Sequence, residues 1–159
     1  MNSLQKTCRN HILTMAASGG AFVGAAFSCV DILIALYTQL FDTQDIKDNS
    51  PDRDMFILSK GHAVPALYAV MAETGILDKS LLSQHMATNS PIYWHPNKAL
   101  PGIDFHSGSL GHGLSIAMGL VLAKRLKHAA GRVFVLLGDG ELNEGTIWEG
   151  LLFANAQKM

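Results

Sequence analysis

The sequence holds little of what marks disulfide-bonded, nucleic-acid-binding or membrane-spanning proteins. Only two cysteines occur in 159 residues, Cys8 and Cys29, far apart and outside any metal-ligand spacing. They exclude a disulfide framework and read as small core residues of a reduced, intracellular protein. Neither sign of charge dominates, since 12 Lys and Arg against 13 Asp and Glu leave a formal net charge of -1. With no basic stripe, the chain is not expected to bind nucleic acid or an anionic membrane, and a small polar ligand suits it better. Long apolar runs are missing too. Lys6 and Arg9 precede an uncharged stretch from Asn10 to Val30 that superficially looks like a secretion signal. Ser18, Gly19, Gly20 and Gly24 dilute that stretch, and Asp31 follows it within a periodic segment. Neither a compact signal core nor a spanning helix of about 20 residues fits, and a cytoplasmic location is expected.

What is present suits an ordinary globular domain: 48% of residues are hydrophobic and 16% charged, enough for a single core over residues 1–159. Leu4, Cys8, His11, Ile12 and Met15 recur at three- and four-residue steps, predicting a helix from Ser3 to Ala17 that ends at Ser18-Gly19-Gly20. A glycine-rich corner follows, and Ser28 with Asp31 reads as the capped start of a buried helix reaching Leu40. The polar stretch from Asp42 to Asp54 reads as a surface connection. Met55 to Leu58 and Arg132 to Leu137 are short continuous apolar runs, expected as strands covered on both faces. Helices are predicted from Val64 to Thr74, with Pro65 in the first turn, near Lys79 to His85, from Leu114 to His128, and from Thr146 to Met159 without a stop signal. Met86 to Gly108 carries three prolines and no apolar period, and such a long loop inside a compact domain is usually functional. Helices alternating with apolar strands imply an α/β fold, a parallel sheet in three layers with helices on both faces.

In such sheets ligands bind at the carboxyl ends of the strands. Here the first strand runs into Ser59-Lys60-Gly61-His62 and the second into Gly138-Asp139-Gly140. A carboxylate held between glycines lets the backbone approach a phosphate and offers a hard oxygen to Mg²⁺; a tight turn with an Asx-type hydrogen bond is the simpler alternative. Glu144 and Glu149 lie five residues apart near the start of the last helix, where carboxylates are favoured in any case. His62, His95, His106 and His112 all fall in loops or helix starts. Four such histidines, if they converge on one rim, suit proton handling or the binding of sugar hydroxyls. No spacing supports zinc, and "GSLGHG" has the wrong glycine order, without a preceding strand, for a dinucleotide loop.

Taken in order, "SGGAFVGAAFSCVDILIALY", "DRDMFILSKGHAVPALYAVMAETG", "HPN..LPGIDFHSGSLGHGLSIAMGLVLAKRL" and "VFVLLGDGELNEGTIWEG" resemble successive blocks of the N-terminal half of a transketolase. The half-length N-terminal subunits of transketolases split over two chains are particularly similar. The resemblance covers nearly the whole chain. It implies a thiamin-diphosphate-binding fold that grips the diphosphate through Mg²⁺, for which Ca²⁺ can substitute in the family. A pyrimidine-binding partner chain completes the site, in a homodimer or heterotetramer, and a two-carbon ketol unit passes from a ketose (phosphate) to an aldose (phosphate). Carried over by motif, Asp139 is similar to the metal-binding aspartate and Gly140 to the glycine contacting the diphosphate. His62 and His95 match channel histidines that meet substrate oxygens near the reacting carbons and, for His62, the cofactor. Gly108 and Leu110 match the segment along the cofactor rings, and Glu144 and Glu149 resemble glutamates at the subunit contact.

Two departures accompany the resemblance. The family usually reads Ser-Gly-His at the first glycine corner, where Gly20 stands here, so a transketolase for a modified or unusual sugar gains weight over ordinary pentose phosphates. The family's metal site also takes an asparagine and a carbonyl from a following strand, and the sequence reaches Met159 without them. The 159 residues by themselves are therefore expected to bind cofactor weakly, to be inactive and to be poorly soluble as a monomer. Two other readings stay open: another thiamin-diphosphate enzyme, such as a deoxyxylulose phosphate synthase or a 2-oxo acid dehydrogenase component, or a non-catalytic assembly module of the same fold.

Overall fold

The computed structural model describes residues 3–159. Helix α1 (Ser3–Gly19) presents Cys8, Ile12 and Met15 to the core, the periodic face expected of it. Helix α5 (Val64–Glu73) carries Pro65 in its first turn and is buried along nearly its whole length; α1 packs against it. The segment between these two helices differs from its expected form. It does not begin as a helix capped by Ser28; a short helix α2 (Val23–Phe27) comes first and ends on Ser28, whose hydroxyl donates to Ala25 O at 2.8 Å. Helix α3 (Val30–Ala35) then runs into a π-helical turn, Leu36–Leu40. The five-residue ladder rotates the apolar stripe part-way through, so Leu33 and Tyr37 are buried while Ile32 and Leu40 remain half exposed. The polar connection contains a further short helix, α4 (Thr43–Lys47), whose first amides are capped by the Asp42 carboxylate.

Strand β1 (Met55–Leu58) pairs in parallel with β2 (Val133–Leu136), Met55 opposite Val133 and Leu58 opposite Leu136. The two-residue period divides their side chains between two faces. Phe56 and Leu58, with Phe134 and Leu136 beside them, join the core built by α1, α3 and α5. Helix α6 (Gly113–Leu126) packs against both strands on the other face, but β2 stays only half-buried throughout rather than covered on both faces as expected, because no further strand flanks it among the described residues. The layered α/β arrangement is thus realised on a two-stranded sheet. The last helix, α7 (Gly145–Ala156), packs against α6; it stops at Ala156 rather than continuing to Met159, with Lys158 in the left-handed region at φ 51°.

Residues 85–112 form the long irregular connection, yet it is firmly anchored. Ile92 is fully buried, the Tyr68 hydroxyl donates to His95 O at 3.0 Å, and the Ser107 hydroxyl donates to Leu58 O. These bonds fix the loop over the end of β1.

Candidate functional site

Both strands end at one place. A cavity of about 390 Å³ lies there, lined by Gly24, Ala25 and Ser28 of the α2 region, Lys60 and His62 after β1, Leu110 from the long loop, and Gly138 to Glu141 after β2. Of the residues singled out in the sequence, His62, Leu110, Asp139 and Gly140 therefore meet around one space. His95 and Gly108 sit just behind it, because the His95 ring edge lies 3.0 Å from where a Cβ on Gly61 would stand and 3.2 Å from the equivalent point on Gly108. Gly61 is forced by this packing, since a Cβ there would also lie 2.9 Å from Ser107 O. The four histidines do not share a rim as expected. His62 and His95 are electrostatic neighbours, whereas His106 is exposed and accepts from its own loop's Lys98 N–H at 3.3 Å, and exposed His112 precedes α6. Their loop is long enough to satisfy them locally. Glu144, just before α7, and Glu149, on α7, are exposed and outside the cavity. Glu149 opens the second turn rather than the first, because α7 begins at Gly145.

The residue that organises this space went unnoticed in the sequence. Glu141 is 1% exposed. Its carboxylate accepts from Gly111 N at 2.8 Å, Gly138 N at 2.9 Å and the Ser59 hydroxyl, and Ser59 Oγ in turn accepts from Gly113 N at 3.2 Å. One side chain thus ties together the end of β1, the end of β2 and the start of α6. A buried carboxylate with three donors is well compensated, and it fixes the turn that carries Asp139. No sequence signal separated it from an ordinary helix-start acid.

Lys60 supplies the cavity's cation. It is only 9% exposed, and its ammonium donates to Ser28 Oγ at 2.9 Å and Ala25 O at 3.3 Å. It also lies beside the Cys29 thiol, so its positive charge is held at the cavity wall by groups that carry no formal negative charge. Asp139 is exposed, lines the same cavity and makes no capping bond, and a Cβ on Gly140 would meet nothing within 4 Å, leaving backbone open to a ligand. Burial, then the nearby Lys60 charge and His95, hold the His62 pKa below the ordinary histidine value, which keeps its ring neutral near pH 7. Among the described residues no three His, Cys, Asp or Glu side chains stand close enough to hold a metal by themselves. The donor set is one carboxylate, one ammonium and open glycine backbone, which fits an anionic group bridged to the protein by a hard cation rather than a metal caged by side chains.

Comparison with known proteins agrees with this geometry. Residues 7–159 match the family model described as transketolase, thiamine diphosphate binding domain. The chain is 36% identical over 157 residues to one of the subunits of the apulose-4-phosphate transketolase of Actinobacillus succinogenes, covering 97% of this chain and 57% of that one. It is 37% identical to the 6-deoxy-6-sulfo-D-fructose transketolase subunit SqwG of a Clostridium species over 89% of this chain and 52% of that one. The transketolase structure from Leishmania mexicana superposes with a TM-score of 0.77 at 26% identity over 97% of this chain and 25% of that chain. The chain spans about half the length of these subunits and about a quarter of the full-length enzyme. A family match across almost every residue, on a fold whose two strand ends meet at this cavity, shows that the chain belongs to the transketolase family, in its thiamin-diphosphate-binding domain.

Proposed function

We propose that this chain forms the diphosphate-holding part of a transketolase active site and works with a pyrimidine-binding partner chain. The observation that carries the reading is the cavity at the two strand ends, with the Lys60 ammonium, the Asp139 carboxylate and the open Gly140 backbone around it. Asp139 would donate one oxygen to Mg²⁺, or to Ca²⁺ in its place, with diphosphate and other oxygens completing the coordination. Lys60 would balance the remaining phosphate charge, and Gly140 would let the backbone come close. Gly108 and Leu110 would lie along the rings of the coenzyme. When bound, thiamin diphosphate supplies the nucleophilic carbon and the electron sink for ketol transfer.

The chain's own share is orientation and proton control. His62, kept neutral by burial beside Lys60, can donate to a substrate oxygen from one ring nitrogen and accept at the other. His95, behind Gly61 and Gly108, would meet a second substrate oxygen. Exposed Glu144 and Glu149, at the start of a helix whose Trp148, Leu151, Leu152 and Phe153 are also uncovered, would contact the partner chain, in a homodimer or heterotetramer. The substrates are a ketose and an aldose, phosphorylated or otherwise anionic. Relatives named for apulose 4-phosphate and 6-deoxy-6-sulfo-D-fructose support a sugar outside the ordinary pentose phosphates. Two buried free cysteines suit a cytoplasmic location, and among the described residues no helix is long and apolar enough to cross a membrane.

The test is ketol transfer by the native protein with its partner chain, thiamin diphosphate and Mg²⁺. Hydroxypyruvate as donor and glycolaldehyde as acceptor should yield a ketose, and Lys60→Met should raise the coenzyme concentration needed for half-maximal rate at least tenfold. Decarboxylation without a ketose product would favour the oxo-acid dehydrogenase alternative instead.

A further inference from the structure

A second cavity, of about 470 Å³, lies before the start of β1. Ile46 and Lys47 of α4, Asn49 and Arg53, and Lys98 to Asp104 of the long loop line it. It shares no residue with the cavity at the strand ends. Gly102, at φ 73°, brings the loop this close to α4, because a Cβ there would stand 2.8 Å from Ile46 Cγ2. The turn that carries Lys98 is fixed by Asn97, whose Oδ1 accepts from Ala99 N at 3.0 Å and whose Nδ2 donates to Pro91 O at 2.8 Å. That wall is held in place by its own hydrogen bonds.

Three cations and one carboxylate face this space. Arg53 grips Asp104 through both Nη atoms, Nη1 to Oδ2 at 3.1 Å, and both side chains are nearly buried. Those two charges cancel. Nε and Nη2 of Arg53 also donate to Asn49 Oδ1 at 3.4 and 3.3 Å, so the amide oxygen of Asn49 is engaged and its two N–H donors are left over. Lys47 and Lys98 are exposed, and among the described residues neither ammonium forms an ion pair or a hydrogen bond. Asp45 and Asp48, their nearest acids in sequence, do not line the cavity, and Asp48 accepts from Gln44 Nε2 at 2.9 Å. A single surface lysine is a solvated charge and no more. Two from separate elements, facing one concavity whose only carboxylate is already neutralised, leave a charge for a ligand to match.

We propose that Lys47, Lys98 and Asn49 form a binding site for a phosphate group, free or esterified to a compact polyol, separate from the cavity at the strand ends. The inference does not depend on the ketol-transfer reading. A phosphate monoester carries about -2 near neutral pH, which two ammoniums balance, and lysine binds phosphate as a point charge without needing the arginine fork that Asp104 occupies. The space lies within the roughly 300–1,000 Å³ of small-molecule pockets. From Asp104 the loop continues to Ser107, bonded to Leu58 O, and to Gly108 against His95. An occupant would therefore brace the outer end of the loop that shapes the other cavity.

The experiment titrates glycerol 3-phosphate, inorganic phosphate and glycerol calorimetrically into the native protein with its partner chain. Glycerol 3-phosphate is neither a ketose nor an aldose, so it is no substrate for ketol transfer. The expected result is saturable binding of a phosphate probe and none of glycerol, weakened about tenfold by Lys47→Gln or by Lys98→Gln and changed no more than about threefold by Lys98→Arg. Lys60→Met, at the other cavity, should also leave it within about threefold. Tighter binding of glycerol 3-phosphate than of inorganic phosphate identifies an ester as the occupant, the reverse identifies free phosphate, and either supports the site. No binding of either phosphate probe, or binding that Lys47→Gln with Lys98→Gln leaves unmoved, would overturn it. Binding lost in Lys60→Met and kept in the lysine pair variant would place the phosphate at the strand ends, overturning this site while leaving the proposed function standing.

Discussion

β1 and β2 are both wholly apolar and pair one to one, yet three of the four β1 residues are buried and none in β2 is fully so. The contrast extends to the helices. Nine of the ten α5 residues are buried, whereas α7, equally apolar, buries only Ile147 and Gly150. Hydrophobic sequence states a demand for burial, and the N-terminal region meets it internally with α1, α3 and α5. Around β2 and α7 the demand is left open among the described residues. Between the two regions lies the seam that Glu141 closes, and the cavity sits on that seam.

The contrast is broken most forcefully from the N-terminal side. Tyr68 is fully buried in the core cluster, and Tyr68→Ala, which also removes the bond to His95 O, is expected to cost about 3–5 kcal/mol, read as a large fall in the denaturant midpoint. At the seam, Glu141→Ala strands the Gly111 and Gly138 amides and the Ser59 hydroxyl, at a cost of about 3 kcal/mol. Glu141→Gln should cost less, because its amide oxygen still accepts. A loss equal to a surface substitution would show that the seam is held by other contacts.

A smaller effect is tied to pH. Burial lowers the pKa of both His62 and His85, and buried His85 Nδ1 has no hydrogen-bond partner. Groups whose folded pKa lies below the unfolded value bind more protons when unfolded. Stability from them is therefore present above the ordinary histidine pKa of about 6.5 and is lost as pH falls through the folded values. Denaturation followed from about pH 7.5 to 5 should show this loss, and His85→Gln should flatten it. The smallest effect belongs to the C-terminal region: Leu152, 72% exposed, should change folding stability by no more than about 0.5 kcal/mol on Leu152→Ser. A cost of core size would mean that α7 is already covered.

The strands, α1, α5 and α6 were legible because their apolar periods and stop signals agree with the packing they enter. Val64 to Glu73 and Met55 to Leu58 left little room for another reading. The corner from Ser18 to Val30 was not legible. Ser28 looks like a cap, but Lys60 reaches across to its hydroxyl, and only tertiary structure shows that. The same holds for the site. Asp139 and Gly140 announced themselves as a turn at a strand end, and His62 by its place after β1. Glu141, one residue further on, reads as another surface acid until the amides of two separate loops are seen to converge on it. Lys47 and Lys98, 51 positions apart, come to one cavity only in the folded chain.

The most direct test is calorimetric titration of thiamin diphosphate with Mg²⁺ into the native protein and its partner chain, unmodified and with Asp139→Ala. The account predicts metal-dependent binding that weakens at least a hundredfold in the variant, about 2.7 kcal/mol, while the unliganded melting temperature stays unchanged because Asp139 makes no capping bond. Equal affinity in the two proteins, or binding indifferent to the metal, would contradict it.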